Sequence, residues 1–394
     1  MWALILLTLV AGLAIFAATR SPAFLQGTDF PDFYCAARML AAGDGHQLYD
    51  PDLQRQYQAR YAGRVGTLYI HPPFEAVLFL AVAWLPLRSA YVLWSLLSLT
   101  FLGAGTRRLV EELPLPRDWL IWFAGSLIFV PVLLCLLQGQ DSLLLLLLVV
   151  AAFLALRQGR AFAAGCWLGL GLFKFPLVLP LVVLLVCAQD RNGRAALAKG
   201  FSLIALALAG LSAAISGWSV FSVYPKFLFH LQDQPFAGIV PSAMANFRGL
   251  LYLFSHSDHS PTAVATLSIL CAAALILTLM GWKLMDRKNK SQFDLAFANT
   301  VVFALLVSYH LNPHDLSLLL LPIALLVRRA LARTVNASEP ASWITLGLLG
   351  ILLLPPLHLW ALRAGAYALI SIPLLALFLS GTLLARQDKA SAIN

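Results

Sequence analysis

Charge is what this sequence has least of. Only 11% of its 394 residues are Asp, Glu, Lys or Arg, against 60% hydrophobic residues and a mean hydropathy of +0.82. That leaves too little polar surface to clothe a soluble multidomain protein, and the chain reads as a polytopic membrane protein. Acidic residues are scarcer than basic ones, 18 against 27, for a net charge of +9. A nucleic-acid binder would need those cations in a stripe; here they sit in small clusters between apolar runs, where they act as topology signals. Cysteine is too sparse for a disulfide framework or a zinc site: five residues with no CxxC spacing, all but Cys35 inside apolar runs. Walker-type and dinucleotide-type glycine loops are missing from the basic loops, which argues against a nucleotide-driven pump. Internal repeats and low-complexity tracts are missing too. Residues 1–19 are apolar but lack a basic leader, so they are expected to form a first span rather than a cleaved signal peptide.

What the chain has in abundance is apolar runs. About twelve spans are expected, near 2–19, 74–106, 118–137, 142–156, 161–173, 175–189, 196–216, 263–284, 293–309, 316–327, 342–360 and 365–385. The run 74–106 is interrupted by Pro86-Leu87-Arg88 and is assigned one crossing, as a kinked helix or a re-entrant piece plus a span. With that choice and a cytoplasmic N-terminus, the clusters Arg107-Arg108, Arg157 with Arg160, Arg191 with Arg194, and Arg328-Arg329 all fall inside. The expected architecture is therefore all-α, one integral-membrane domain over 1–394 with both termini cytoplasmic. Two long extracytoplasmic loops are expected, 20–73 and 217–262. All eight histidines, which have no part in the Lys/Arg asymmetry that sets this orientation, then fall outside, together with Gln138-Gly139-Gln140-Asp141, Lys174 and Asn246-Phe247-Arg248-Gly249.

The polar island Thr28–Phe74 is the stretch on which chemistry is expected. Asp29 before Phe30-Pro31 is placed as a helix N-cap, since proline is tolerated in a first turn. Phe30, Phe33, Tyr34, Ala37 and Leu40 follow at helical spacing, as in an amphipathic helix lying along the membrane surface. A second interfacial helix is expected at Tyr224–His230.

Asp29-Phe30-Pro31-Asp32-Phe33-Tyr34, with Ala36-Ala37, Gly43 and Leu48-Tyr49-Asp50, resembles the first-loop signature of glycosyltransferase family 87. The resemblance continues through His71-Pro72-Pro73-Phe74, Gln138–Ser142, Gly165–Lys174 with Pro176, Asn246–Gly249 and Ser308–His314, in the family's order over most of the chain. It implies a C-type membrane glycosyltransferase fold and a mannosyltransferase whose donor is a polyprenyl-phosphate sugar. The acceptor would be a glycolipid or glycan on the outer face of the bacterial cytoplasmic membrane. The family's catalytic carboxylate corresponds to Asp29, and its histidine six residues after a serine corresponds to His314 after Ser308. Two positions depart from the pattern: Tyr309-His310 replaces proline and an apolar residue, which keeps His310 beside His314 as a choice, and Asp141 replaces a frequent asparagine.

Displacement at the anomeric carbon of a lipid-phosphate sugar needs a base for the acceptor hydroxyl and cations for the departing phosphate, but no second carboxylic acid. Asp29 is the expected base. Candidate substrate-binding residues are Asp32, Tyr34, His71, Gln140, Asp141, Lys174, Asn246, Arg248, His310 and His314. Each has a plainer explanation: capping for Asp29, Gln140 and Asp141, a solvated carboxylate for Asp32, snorkelling for Lys174, lipid headgroups for Arg248, loop anchoring for His71. No cofactor is expected beyond the lipid-linked sugar as co-substrate, and a role for a divalent metal stays open. The competing function is a transporter or lipid flippase, which would call for ionisable residues near the bilayer midplane and two related halves.

Overall fold

The computed structural model describes residues 22–113, 115, 118–231, 238–286, 289–333 and 340–393; the expected span 2–19 lies outside them. All regular structure among the described residues is helical. Among the described residues six helices are long and apolar enough to cross a bilayer: Leu87–Glu112, Ala161–Ala188, Arg191–Ser216, Pro261–Leu284, Lys290–Val307 and Tyr367–Gln387. Two bent pairs raise the count to eight if each makes one crossing, Trp119–Ile128 with Val130–Gln138 at 75° and Ser342–Leu353 with Pro355–Arg363 at 53°. At the second bend Leu354 is extended (φ −71°, ψ 111°), the conformation favoured before a proline.

The run 74–106 does not form one kinked helix. It breaks at Trp84-Leu85-Pro86 into a short apolar piece, Pro73–Ala83, and the 26-residue helix Leu87–Glu112, the only part long enough to cross. Proline closes the first piece because it cannot supply the next backbone donor. The runs at 142–156 and 316–327 appear as the 16-residue helix Ser142–Arg157 and as a 3-10 turn Pro313–Leu319 followed by Leu320–Arg333.

Contacts divide the chain into two compact units, one formed by residues up to Gly103 with Cys135–Leu144 and Leu203–Ile239, the other by the remainder. In the first unit the helix Phe30–Ala42 is core. Every residue from Phe30 to Ala37 is buried, and only the last turn reaches solvent. Phe30 meets Tyr91 edge-on at 5.4 Å and Phe33 stacks on Phe79 at 4.7 Å. The expected surface helix is thus corrected to an interior one: the face opposite its aromatic stripe is Pro31, Asp32, Cys35 and Ala36, small enough to be covered by protein. Gly43, at φ +89°, ends it in the left-handed conformation that glycine adopts without strain. The helix Pro51–Ala62 follows with a working cap, Asp50 accepting from the backbone N–H of Asp52 and Leu53.

The same unit brings distant polar segments together. Gly45 is packed so closely on the carbonyl of Ile215 that a Cβ would lie 2.5 Å from its oxygen. Tyr49 stacks on Tyr224 at 4.8 Å, and the Tyr224 hydroxyl donates to the Ile70 carbonyl. Tyr224 belongs to the helix Val220–Phe229, whose other face exposes Phe221, Val223 and Phe229.

In the second unit the residues Ala161–Ala188 are helical almost throughout, but they are not a straight rod. The place of a Cβ on Gly171 lies 3.1 Å from Val178 Cγ2, whereas seven residues of straight α-helix rise about 10.5 Å. The segment bends at the 3-10 turn Gly171–Lys174, where Lys174 leaves the helical region (φ −108°, ψ 52°). The runs 161–173 and 175–189, expected as two spans, are thus joined in one candidate span with a break at Lys174. Behind it runs the buried helix Lys290–Val307. Near its start, Asp294 takes Arg157 Nε at 2.9 Å and also bonds Arg328. Its other end leads into Ser308–Asp315, about 20 Å away along the axis.

Candidate active site

Asp29 occupies the position before the helix Phe30–Ala42, yet it does not cap it. Its backbone is helical (φ −82°, ψ −16°) and its side chain makes no cap bond. The half-buried carboxylate instead accepts from Gln140, Nε2 to Oδ2 at 2.7 Å, and its backbone N–H donates to Gln138 Oε1 at 3.0 Å. Between the two glutamines Gly139 sits at φ +67°, and a Cβ there would lie 2.7 Å from the Cβ of Phe30. The corner is fixed from behind by Tyr91, whose hydroxyl donates to the Leu136 and Leu137 carbonyls at 2.9 and 3.1 Å. A charge-assisted hydrogen bond contributes about 1.5–3 kcal/mol, enough to hold one orientation of the carboxyl group.

Asp32, one turn on, is 7% exposed and belongs to a different network. It accepts from Gln58 Nε2 at 3.0 Å and from the Thr67 hydroxyl. Burial pushes its carboxyl well above the usual range, and the nearby charge of Asp29 pushes it the same way, against the opposing effects of Thr67, Arg64 and Gln58. Tyr34 is buried, donating to the Leu85 carbonyl at 2.8 Å and accepting from Arg38, so its hydroxyl serves the fold.

His71 lies with Nδ1 2.9 Å from Oε2 of the fully buried Glu75. Its carbonyl and those of Ile70 and Pro72 each accept a tyrosine hydroxyl, from Tyr49, Tyr224 and Tyr69 at 2.8, 3.1 and 2.8 Å. The loop-anchoring explanation therefore holds for its backbone, while its ring packs on Phe33 at 4.9 Å. Gln140 and Asp141 are both buried, at 3% and 1%.

The second unit gathers the cations. Lys174 Nζ lies 3.1 Å from Asp315 Oδ1 and 3.5 Å from His314 Nε2, all three side chains being buried. Asp315 is itself placed by its other oxygen, which accepts the Asn312 backbone N–H at 2.8 Å. Arg248, 3% exposed, donates from Nε to Asp258 at 2.7 Å and lies over the Tyr309 ring at 4.1 Å. Asn246 caps its own helix through the Gly249 N–H and donates to the Ser308 carbonyl at 2.7 Å, so its amide is occupied in joining two segments. His310 is half-buried, 3.4 Å from the Asn312 amide, so that His314 rather than His310 is the histidine set against Lys174. His358, also placed outside by charge counting, is a core residue bonded to Tyr367 and the Leu352 carbonyl.

Glu75, Asp258, Asp315 and Gln138 were not expected at these positions. Asp315 had a local signal, the Asn312-Pro313-His314-Asp315 spacing of a capped turn, and Gln138 lay in the family motif Gln138–Ser142; Glu75, a lone carboxylate at the start of an apolar run, and Asp258, in a polar loop, had no signal that named a partner. No group of three or more His, Cys, Asp or Glu side chains among the described residues is arranged to hold a metal ion.

The sequence model of glycosyltransferase family 87 matches residues 69–308, more than half of the chain. The match includes His71, Gln140, Asp141, Lys174, Asn246 and Arg248, and excludes Asp29, Asp32, Tyr34, His310 and His314. No curated protein and no solved structure matches significantly.

Proposed function

Since the chain belongs to glycosyltransferase family 87 and is a multi-pass membrane glycosyltransferase, we propose that it moves mannose from a polyprenyl-phosphate carrier to a glycolipid or glycan acceptor, with Asp29 as the base. The acceptor hydroxyl attacks the anomeric carbon, the carbon–oxygen bond to phosphate breaks, the phosphate leaves with the electron pair, and Asp29 takes the acceptor's proton. Asp29 earns this role by what it does not do: a half-buried carboxylate at a helix start that leaves the backbone uncapped, yet is held by a side chain 111 residues away. Lys174 and Arg248 are the cations for the departing phosphate, with the His314 ring beside Lys174 as a further polar contact, in keeping with their burial in a chain that has few charges. The C-type fold, about twelve spans, cytoplasmic termini and an extracytoplasmic site in the bacterial cytoplasmic membrane follow from the charge distribution and the motif order.

The donor is the point to test. Washed membranes containing the protein, given synthetic polyprenyl-phosphate mannose, are expected to label an endogenous lipid or glycan, and membranes without it are not. A nucleotide sugar supplied while carrier synthesis is blocked is expected to give no product. Equal transfer from the nucleotide sugar would overturn the lipid-carrier assignment.

A further inference from the structure

We propose that Gln140 is a positioning residue that acts through Asp29, not a contact to the sugar or phosphate; this rests on Asp29 being the base. Three features of the Gln138-Gly139-Gln140 corner converge on that one residue. Gln140 Nε2 donates to Asp29 Oδ2 at 2.7 Å, and Gln138 Oε1 accepts the Asp29 backbone N–H at 3.0 Å, so the side chain and the main chain of Asp29 are both held by the same corner. Gly139 between them is pressed on Phe30, the next residue after Asp29, with no room for a Cβ. Gln140 itself is buried, which fixes the amide it presents to Asp29.

An amide N–H aimed at a carboxylate does two things. It fixes the plane of the carboxyl group, and it favours the ionised form that accepts a proton. Binding of donor and acceptor gains nothing from either. Removal of the donor is therefore expected to lower kcat and kcat/KM together, by about 10- to 100-fold, with the KM for donor unchanged. The acid limb of the pH–rate profile moves to higher pH, because the carboxylate loses a bond that its protonated form did not need in that geometry.

The test is a double-mutant cycle on purified full-length protein at matched amounts, with polyprenyl-phosphate mannose as donor and product followed by radiolabel. Gln140→Met removes the amide, and Gln140→Asn withdraws it by one methylene, about 1.5 Å. Gln140→Glu keeps the length and volume, and so serves if the methionine variant folds poorly; it sets carboxyl against carboxyl and is expected to move the acid limb further still. Asp29→Asn is expected to lose at least about 100-fold in turnover. If Gln140 works through Asp29, Gln140→Met costs little more in the Asp29→Asn background. Multiplied losses, or a raised KM with unchanged kcat, would make Gln140 a substrate contact and overturn the positioning role alone. Full turnover in Asp29→Asn would remove the base assignment, and this proposal with it.

Discussion

Asp29 and Asp32 are three residues apart and have the same side chain, but their surroundings differ in kind. Asp29 is half-buried and bonded to one amide; Asp32 is buried among Gln58, Thr67 and Arg64, and burial raises its carboxyl well above the ordinary range. An acid whose folded-state pKa is raised binds more protons folded than unfolded, so its contribution to stability is lost as pH rises from the usual carboxylate range towards the raised value. Asp32→Asn keeps the acceptor for Gln58, offers an N–H to a Thr67 hydroxyl that rotates to accept, and cannot ionise. Thermal unfolding of the two purified proteins between about pH 4 and 7 should show the variant gaining on the natural protein as pH rises, with turnover reduced by less than about tenfold. A variant that loses stability relative to the natural protein over that range, or is as inactive as Asp29→Asn, would make Asp32 an ionised working group.

Two short turns hold the candidate residues, and each has its own energetics. At Gly139 a side chain meets two costs, a left-handed backbone of about 1 kcal/mol and a clash with Phe30. Gly159 is the natural control, at φ +75° with nothing within 4 Å of where a Cβ would stand. Gly139→Ala is expected to lower both thermal stability and turnover, the latter by at least tenfold, roughly the worth of one charge-assisted hydrogen bond. Gly159→Ala should show only a small stability loss; equal losses in the two would mean that the packing on Phe30 does not fix the corner. At the Gly171–Lys174 turn the matter is charge. Lys174→Met strips Asp315 of the ammonium 3.1 Å away, and breaking a buried pair costs about 3–5 kcal/mol. Adding Asp315→Asn should restore stability without restoring turnover. Recovered turnover in the double variant would remove Lys174 from phosphate binding.

On the scale of the molecule, the buried helix Lys290–Val307 separates two kinds of polar cluster. Arg157 and Arg328 meet Asp294 near its start, and the Ser308–Asp315 segment with Lys174 and His314 lies beyond its end. Basic clusters gathered at one end suit the cytoplasmic side of a bilayer. None of the five cysteines is in a disulfide, so a cysteine-free background is a set of five substitutions. In it, exposed Ser255→Cys should react with an impermeant thiol reagent in intact cells, and exposed Asn192→Cys only after permeabilisation. The reverse pattern would turn the whole scheme over.

Composition alone determined that this chain is a polytopic membrane protein, because so few charges cannot dress a soluble surface. Local pattern determined the helix start at Phe30, the break before Leu87, the break at Lys174 and the order of the family motifs, since proline, glycine and a lone lysine act on the backbone within a few residues of themselves. Tertiary structure decided the rest. Asp29 had the spacing of a cap and became a held carboxylate because Gln140, far away in sequence, supplies a donor. The stripe on Phe30–Ala42 looked like one face of a surface helix, yet protein covers the other face as well. Glu75, Asp258 and Asp315 became partners of His71, Arg248 and Lys174 only once the chain had folded. Helix starts and breaks depend on neighbours along the chain, whereas the pairing of a buried charge depends on neighbours in space, and periodicity carries no record of those.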